Sequence, residues 1–470
     1  MNDIHFGTDG WRAIIGEGFT DDNLVRVIDA AAQVFKEDAL ASGRALDELG
    51  TIIIGHDCRQ DAHAYAELAS RVAAAHGFRV RLTRDYCPTP ALCWSVAHEE
   101  DAVGGIMLTS SHNPAEYLGV KLRMADGGAS PKEFTDRVEA KLSDTPSRAR
   151  GEFEEVDLMT PYLAALREAV DVDAIRAAEL RVVVDPLYGA GRGYLAGLLR
   201  DMGVEVVEIN NEEDPTFDGL HPEPIPPWVD RGLAKVKELG YDALFINDGD
   251  ADRIGAGDSQ GNFVNPHRII TLLTEHMCAD RGESGRVVST ITASAMLDRM
   301  CRKLDLDLVS TPVGFKWIYG EMEKGDVMIG GEESGGIGLP GHVKERDGLL
   351  MALLLTETMA QRGKDLGALV EDMLASIGRL EFERRGLTVN DQQMERFRNS
   401  IVPEFAPSEV EGKAVVDVDR RDGVKFYLEG DAWVMMRPSG TEPLVRIYAE
   451  AATAEEVDVL LKWAEGVITA

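Results

Sequence analysis

Asp242-Ala243-Leu244-Phe245-Ile246-Asn247-Asp248-Gly249-Asp250 joins an unbroken apolar run to an acidic turn containing glycine. The run reads as a short strand, and the turn lies where that strand would leave its sheet. The same arrangement occurs twice upstream. Thr51-Ile52-Ile53-Ile54-Gly55 leads to His56-Asp57-Cys58-Arg59, and Arg181-Val182-Val183-Val184-Asp185 leads to Gly189-Ala190-Gly191. A helical pattern follows each turn. Strands alternating with helices predict parallel α/β layers with ligand loops at the strand C-termini.

The last hundred residues differ. Val424-Lys425-Phe426-Tyr427-Leu428, a Gly430-Asp431 turn, Trp433-Val434-Met435-Met436 and Leu444-Val445-Arg446-Ile447-Tyr448 predict an antiparallel sheet. A closing helix begins after Thr453, with Glu456 as its capping-box partner. A chain of 470 residues exceeds one hydrophobic core. The expected division is three α/β domains (1–150, 151–258 and 259–374) and a smaller α+β domain (375–470).

Hydrophobic residues make up 44% and charged residues 28%, an ordinary globular balance. The opening MNDIHFGTDGW lacks the basic-then-apolar order of a secretory signal, and the longest apolar run, 349–355, is too short to span a bilayer. That run predicts a buried helix with no chemical role. Five cysteines without a CxxC pair argue against a disulfide framework or zinc site, and for a reducing cytoplasm. The net charge of −33 excludes nucleic acid and anionic membranes as partners. A phosphorylated substrate therefore needs a local basic cleft, and arginine, which outnumbers lysine here, suits a bidentate grip on phosphate.

Four loops carry chemistry. Thr109-Ser110-Ser111-His112-Asn113-Pro114 sets a hydroxyl nucleophile beside an imidazole, directly after the apolar run 103–108. Asp248, Asp250 and Asp252 alternate in Asp-Gly-Asp-Ala-Asp-Arg. In an extended segment they share one face, and three carboxylates held together call for a hard divalent cation. An EF-hand does not fit, because its sixth position would be Arg253 and its twelfth Ser259. Arg437-Pro438-Ser439-Gly440-Thr441-Glu442-Pro443 offers a guanidinium, two hydroxyls and backbone N–H groups to a phosphate. Gly330-Gly331-Glu332-Glu333-Ser334-Gly335-Gly336 sets carboxylates among permissive glycines, natural ligands for vicinal sugar hydroxyls. Gly189-Ala190-Gly191-Arg192-Gly193 lacks the GxGxxG spacing and reads as a structural turn, and no P-loop occurs.

With these loops in this order, the chain resembles the α-D-phosphohexomutase superfamily, from Gly7-Thr8-Asp9-Gly10-Trp11-Arg12 through TSSHNP, DGDADR and GEESGG to RPSGTEP. The resemblance implies a heart-shaped molecule of four domains, three similar α/β domains with mixed sheets and a C-terminal α+β domain of TATA-binding-protein type. Each domain would lend one loop to a central cleft. Position by position, it implies that Ser111 bears the phosphoryl group and that Asp248, Asp250 and Asp252, with that phosphate, hold Mg²⁺. His112, Arg12 and Arg253 would support the reacting phosphate, and Lys121 would transfer a proton. Lys121 is expected to act as base if cationic neighbours such as Arg12 depress its pKa. Glu332 and Ser334 would bind sugar hydroxyls, with Lys316 as another cleft residue. Arg437, Ser439, Gly440 and Thr441 would bind the distal phosphate, with Arg446 adding charge.

The implied reaction is reversible conversion of glucose 1-phosphate to glucose 6-phosphate through glucose 1,6-bisphosphate, which also serves as activator. Mannose phosphates are the alternative substrates, alone or together with glucose, and glucosamine phosphate ranks below them. The loop departs from GEMSGH and GEQSGH at Glu333 and Gly336, and its GEES half matches phosphoglucomutases better. Ser110 stands where family members often have alanine or glycine. The expected partner is a hexose phosphate, and the expected state is monomer or homodimer. An Asp-nucleophile phosphatase would leave TSSHNP unexplained, and a non-catalytic sugar-phosphate sensor would not need an intact Ser111 and three aspartates.

Overall fold

All three apolar runs are strands in the computed structural model, which describes residues 4–439 and 444–470, and only Arg181 at the rim of the second is exposed. The first sheet contains β1 (Trp11–Ile14), β2 (Thr51–His56), β3 (Arg79–Thr83), β4 (Ala102–Leu108), β5 (Tyr117–Met124) and β6 (Glu154–Val156), in the order β1-β5-β4-β2-β3-β6. The second contains β7 (Arg181–Asp185), β8 (Glu205–Glu208), β9 (Ala243–Asn247), β10 (Ile254–Asp258) and β11 (Phe263–Val264), in the order β11-β10-β9-β7-β8. The third orders β12 (Arg286–Thr290), β13 (Leu308–Thr311), β14 (Val327–Gly331) and β15 (Ile337–Gly338) as β13-β12-β14-β15. As edge strands, β6 carries the first sheet past residue 150 and β11 carries the second past 258.

These sheets are mixed, and the departure from purely parallel layers is where the loops lie. β4, β9 and β14 each run parallel to an inner neighbour, then return antiparallel as β5, β10 and β15. The serine, aspartate and Gly-Glu loops are those three returns. The helical pattern expected after Asp250 is therefore corrected: Ile254-Gly255-Ala256-Gly257 is strand β10. Its glycines let neighbours close in, since a Cβ at Gly255 would lie 2.5 Å from the Pro224 carbonyl oxygen.

The fourth sheet is antiparallel throughout: β16 (Glu381–Thr388), β17 (Glu409–Val410), β18 (Lys413–Asp419), β19 (Val424–Leu428), β20 (Trp433–Pro438) and β21 (Leu444–Ala451), ordered β16-β21-β20-β19-β18-β17. The helix Ala454–Thr469 packs on it, with the Thr453 side chain accepting from the Glu456 N–H. Glu456 itself accepts from the Ala452 N–H rather than from Thr453, so the expected capping box is only half formed. The run 349–355 lies in the helix Gly348–Arg362, buried in an apolar cluster shared by the first three domains. No helix among the described residues is long and apolar enough to cross a membrane.

Candidate active site

The serine loop is held by one buried arginine. Arg59 donates to the carbonyl oxygens of Ser111 (2.6 Å), Asn113 (2.6 Å), Pro114 (2.7 Å) and Tyr117 (3.0 Å), and its Nε lies 3.2 Å from Asp57 Oδ2. Thr109 Oγ1 donates to the same Asp57 oxygen and accepts from the Ser111 N–H. This frame holds Ser111 at φ 50°, a left-handed conformation uncommon outside glycine. Its buried hydroxyl donates to Asp248 Oδ2 at 2.8 Å and lies 3.4 Å from His112 Nδ1.

The aspartates converge through a turn rather than through alternation along a strand, a correction to the sequence argument. Ala251 is left-handed at φ 58°, and β10 starts only at Ile254. The turn rests on the Gly189 loop: Ala190 N–H donates to the Gly249 carbonyl, and a Cβ at Gly189 would lie 2.7 Å from it. On the other side, a Cβ at Gly249 would lie 2.4 Å from the Ser111 carbonyl oxygen. GAGRG is therefore a structural turn, and glycine lets the serine and aspartate loops touch.

Asp248, Asp250 and Asp252 are fully buried, each with a carboxylate oxygen within 4.8 Å of the others'. Asp250 Oδ1 and Asp252 Oδ1 have no hydrogen-bond partner among the described residues. Burial and the charges of Asp252 and Asp250 raise the Asp248 pKa well above the carboxylate range. Buried, mutually repelling oxygens with free lone pairs fit a hard divalent cation.

Lys121 enters this cluster from β5, with Nζ 2.7 Å from Asp250, 2.8 Å from Asp252 and 2.9 Å from Asp9. Burial alone would lower its pKa, but Asp250, Asp252 and Asp9 outweigh burial and drive it above the usual lysine value. The condition set for a base, a depressed pKa, is thus not met: three carboxylates surround the amine and favour its ammonium form. His112 behaves oppositely. Burial, then Arg253, Arg12, Arg384 and Lys121, hold its pKa well below 6.5, leaving a neutral ring beside the serine. Arg12 donates to Asn113 Oδ1 at 2.5 Å. Arg253 approaches Asp248, Asp252 and Glu223 only at 3.8 Å, and its Nε has no hydrogen-bond partner among the described residues.

Glu332 joins through Arg346, whose guanidinium lies 2.8 Å from Asp252, 2.5 Å from Asp9 and 3.9 Å from Glu332. Burial pushes Glu332 up to about 7 against the pull of Arg346. Its Oε1 accepts from Gly314 N–H, which caps the helix carrying Lys316. Ser334 is half-buried on the same loop, and a Cβ at Gly335 (φ 94°) would strike the Ile254 carbonyl at 2.4 Å. On the fourth sheet, Arg437 stands opposite Arg446, and its Nε donates to Asp422 Oδ1 at 2.8 Å. Ser439 N–H donates to the Leu444 carbonyl, while Gly440 and Thr441 lie outside the described residues.

All four domains of one family are recognisable along the chain. Residues 3–149, 160–261 and 265–377 match the alpha/beta/alpha domains I, II and III of phosphoglucomutase/phosphomannomutase, and 398–462 match its C-terminal domain. The phosphoglucomutase/phosphomannomutase of Thermococcus kodakarensis is 32% identical over 456 residues, covering 96% of this chain and 95% of the relative. The chain belongs to the phosphoglucomutase/phosphomannomutase family. Its members are phosphohexomutases, and this protein is an enzyme of that kind, an isomerase acting by phosphoryl transfer. A phosphoglucosamine mutase of Frankia alni is 30% identical, covering 95% of this chain and 94% of its own. The crystal structure of a phosphomannomutase-type protein from Thermus thermophilus superposes with a TM-score of 0.88 at 36% identity, covering 100% of this chain and 99% of that one.

Within this phosphohexomutase, the structure gathers Ser111, His112, Lys121, Arg12, Arg253 and the three aspartates into one cluster. It also adds residues that no motif singles out. Asp9 lay inside the quoted GTDGWR without being singled out. Arg59 likewise stood in the quoted turn His56-Asp57-Cys58-Arg59, while Arg346, Glu223 and Arg384 lie outside the motifs and meet partners far away in sequence.

Proposed function

We propose that the enzyme reversibly interconverts α-D-glucose 1-phosphate and glucose 6-phosphate through a phosphorylated Ser111 and a glucose 1,6-bisphosphate intermediate. The observation that carries this reading is the Ser111 hydroxyl, 2.8 Å from Asp248 inside a buried set of carboxylates and cations. Phospho-Ser111 passes its phosphoryl group to O6 of glucose 1-phosphate. The bisphosphate then turns over in the cleft, and Ser111 recovers a phosphoryl group from O1. Mg²⁺ held by Asp248, Asp250, Asp252 and the phosphate on Ser111 would neutralise charge on the transferring group. Arg12 and Arg253 set guanidiniums around the same group. The neutral His112, 3.4 Å from the Ser111 oxygen, accepts the proton of the attacking hydroxyl and passes it to the leaving Ser111 oxygen, while the Lys121 ammonium holds the aspartates. Glu332, Ser334 and Lys316 take the sugar, while Arg437, Ser439, Gly440, Thr441 and Arg446 take the remote phosphate.

Glucose is the favoured sugar because Glu332-Glu333-Ser334 matches the phosphoglucomutase loop, with mannose next and dual use between them. Relatives named for glucose, mannose and glucosamine phosphates support the hexose class. Five unpaired cysteines support action in the cytoplasm, and the net charge of −33 argues against nucleic acid or anionic membranes as partners; monomer or homodimer is the proposed state. A ³¹P NMR time course with Mg²⁺, trace glucose 1,6-bisphosphate and competing glucose and mannose 1-phosphates tests the reading. Formation of 6-phosphates is expected, with the glucose signal moving first. Accumulating inorganic phosphate would mean a hydrolase instead.

A further inference from the structure

The face that the fourth sheet turns toward the other domains holds charges that the phosphate loop does not account for. Arg384 on β16, Tyr448 on β21, Met435 on β20 and Lys425 on β19 stand opposite one another in one cross-strand row. Arg446 and Arg437 stand two residues further along β21 and β20, so side-chain alternation puts both rows on the same face. Arg384 Nη2 lies 3.3 Å from Glu223 Oε1, in the connection between β8 and the helix Asp230–Leu239 of the second domain. The same Glu223 oxygen lies 3.8 Å from Arg253 Nη1 in the aspartate loop. One carboxylate thus sits between a guanidinium of the metal-type loop and one of the fourth domain. The Tyr448 hydroxyl is an independent signal: it is fully buried, stands opposite Arg384 and on the same face as Arg446 and Arg437, and has no hydrogen-bond partner among the described residues. A buried phenol with no partner is costly unless a ligand completes it.

We propose that Arg384 and Tyr448 are further ligands of the substrate's phosphate beside Arg437 and Arg446, and that Glu223 is an internal anion holding Arg384 until that phosphate displaces it. A carboxylate and a phosphate present the same acceptor geometry to a guanidinium fork, and the dianionic phosphate binds more strongly. The exchange frees Glu223 from the fourth domain as the phosphate arrives, so binding is coupled to release of that contact between the second and fourth domains. The inference rests on the phosphohexomutase reading for the identity of the sugar, but not for the anion.

Calorimetric titration of full-length Ser111→Ala protein, which cannot turn over, with glucose 1-phosphate and separately with inorganic phosphate tests it. Glu223→Gln should tighten both ligands about three- to tenfold. Arg384→Gln should weaken them about tenfold, and Tyr448→Phe several-fold. In the Arg384→Gln background, Glu223→Gln should have no further effect. Glu223→Gln weakening binding as Arg384→Gln does would make the pair a structural brace and overturn the proposal. A gain from Glu223→Gln that persists without Arg384 would assign the effect to Arg253 and also overturn it. Should Arg384→Gln fail to fold, Arg384→Lys keeps the charge without the fork and should bind several-fold more weakly than the parent; unchanged affinity would count against the assignment. Failure of the mutase reading would appear separately, as no conversion of glucose 1-phosphate by the unsubstituted enzyme while the inorganic phosphate series still responds.

Discussion

Ser111 sits in a left-handed backbone conformation that costs an ordinary residue about 1–2 kcal/mol, and Arg59 is what holds it there. Four carbonyls meet one guanidinium, a pattern an ammonium group cannot reproduce. Arg59→Lys should therefore lower kcat by about a hundredfold with little change in KM, read by steady-state kinetics. Lys121 is a different case, since its charge offsets a buried carboxylate group. Lys121→Met should lower kcat at least a hundredfold and destabilise the protein by about 3–5 kcal/mol in chemical denaturation, the usual cost of an uncompensated buried charge. Full turnover in that variant would remove Lys121 from the mechanism. Glu332 titrates near neutrality because burial opposes its ionisation. Only the carboxylate accepts twice from paired sugar hydroxyls, so kcat/KM should rise with pH through about 7. Glu332→Gln should lose that inflection while keeping the one from the substrate phosphate.

At the scale of elements, the serine, aspartate and Gly-Glu loops are returns between a strand and its antiparallel neighbour, and glycine sets how closely they meet. Gly249 is the contact point between the serine and aspartate loops. Gly249→Ala should leave the circular dichroism spectrum native but reduce kcat by two orders of magnitude or more, since a Cβ there pushes the Ser111 carbonyl away. Wild-type activity would mean that the two loops separate during catalysis. The fourth sheet grades from an aromatic end, where Trp433, Phe382 and Tyr448 pack near Ile291, to a cationic end at Arg437 and Arg446. Such an element binds rather than reacts. Arg437→Ala should raise KM more than it lowers kcat, and the reverse would count against its phosphate role.

Across the whole molecule, a net charge of −33 surrounds a site in which Arg12, Arg253, Arg346 and Lys121 stand among buried carboxylates. Self-repulsion of the acidic surface destabilises the compact state and is screened by salt within about 10 Å at 0.1 M. Raising NaCl from 20 to 500 mM should lift Tm by several degrees in a thermal scan. A flat or falling Tm would show that the surface ion pairs outweigh the repulsion.

Periodicity along the chain was enough to find the buried strands β2, β7 and β9, the terminal antiparallel sheet and the loops that follow apolar runs, because those signals lie within a few residues of one another. Four motifs in order were enough to place the chain in its family and to pick out Ser111 and the three aspartates. The tertiary structure decided what neighbours do to charge. Lys121 was expected to act as a base only if cations held down its pKa; instead Asp9, 112 residues before it, and the loop at 250–252 close around it and favour the ammonium form. The aspartates converge through a left-handed turn that no alternation rule anticipates; Arg59 acts through carbonyls more than fifty residues away in its own domain, and Arg346, Arg384 and Glu223 reach partners on other domains. Local sequence specifies backbone and burial, whereas a pKa or a shared carboxylate depends on Coulomb terms between groups that only the folded chain brings within 4 Å.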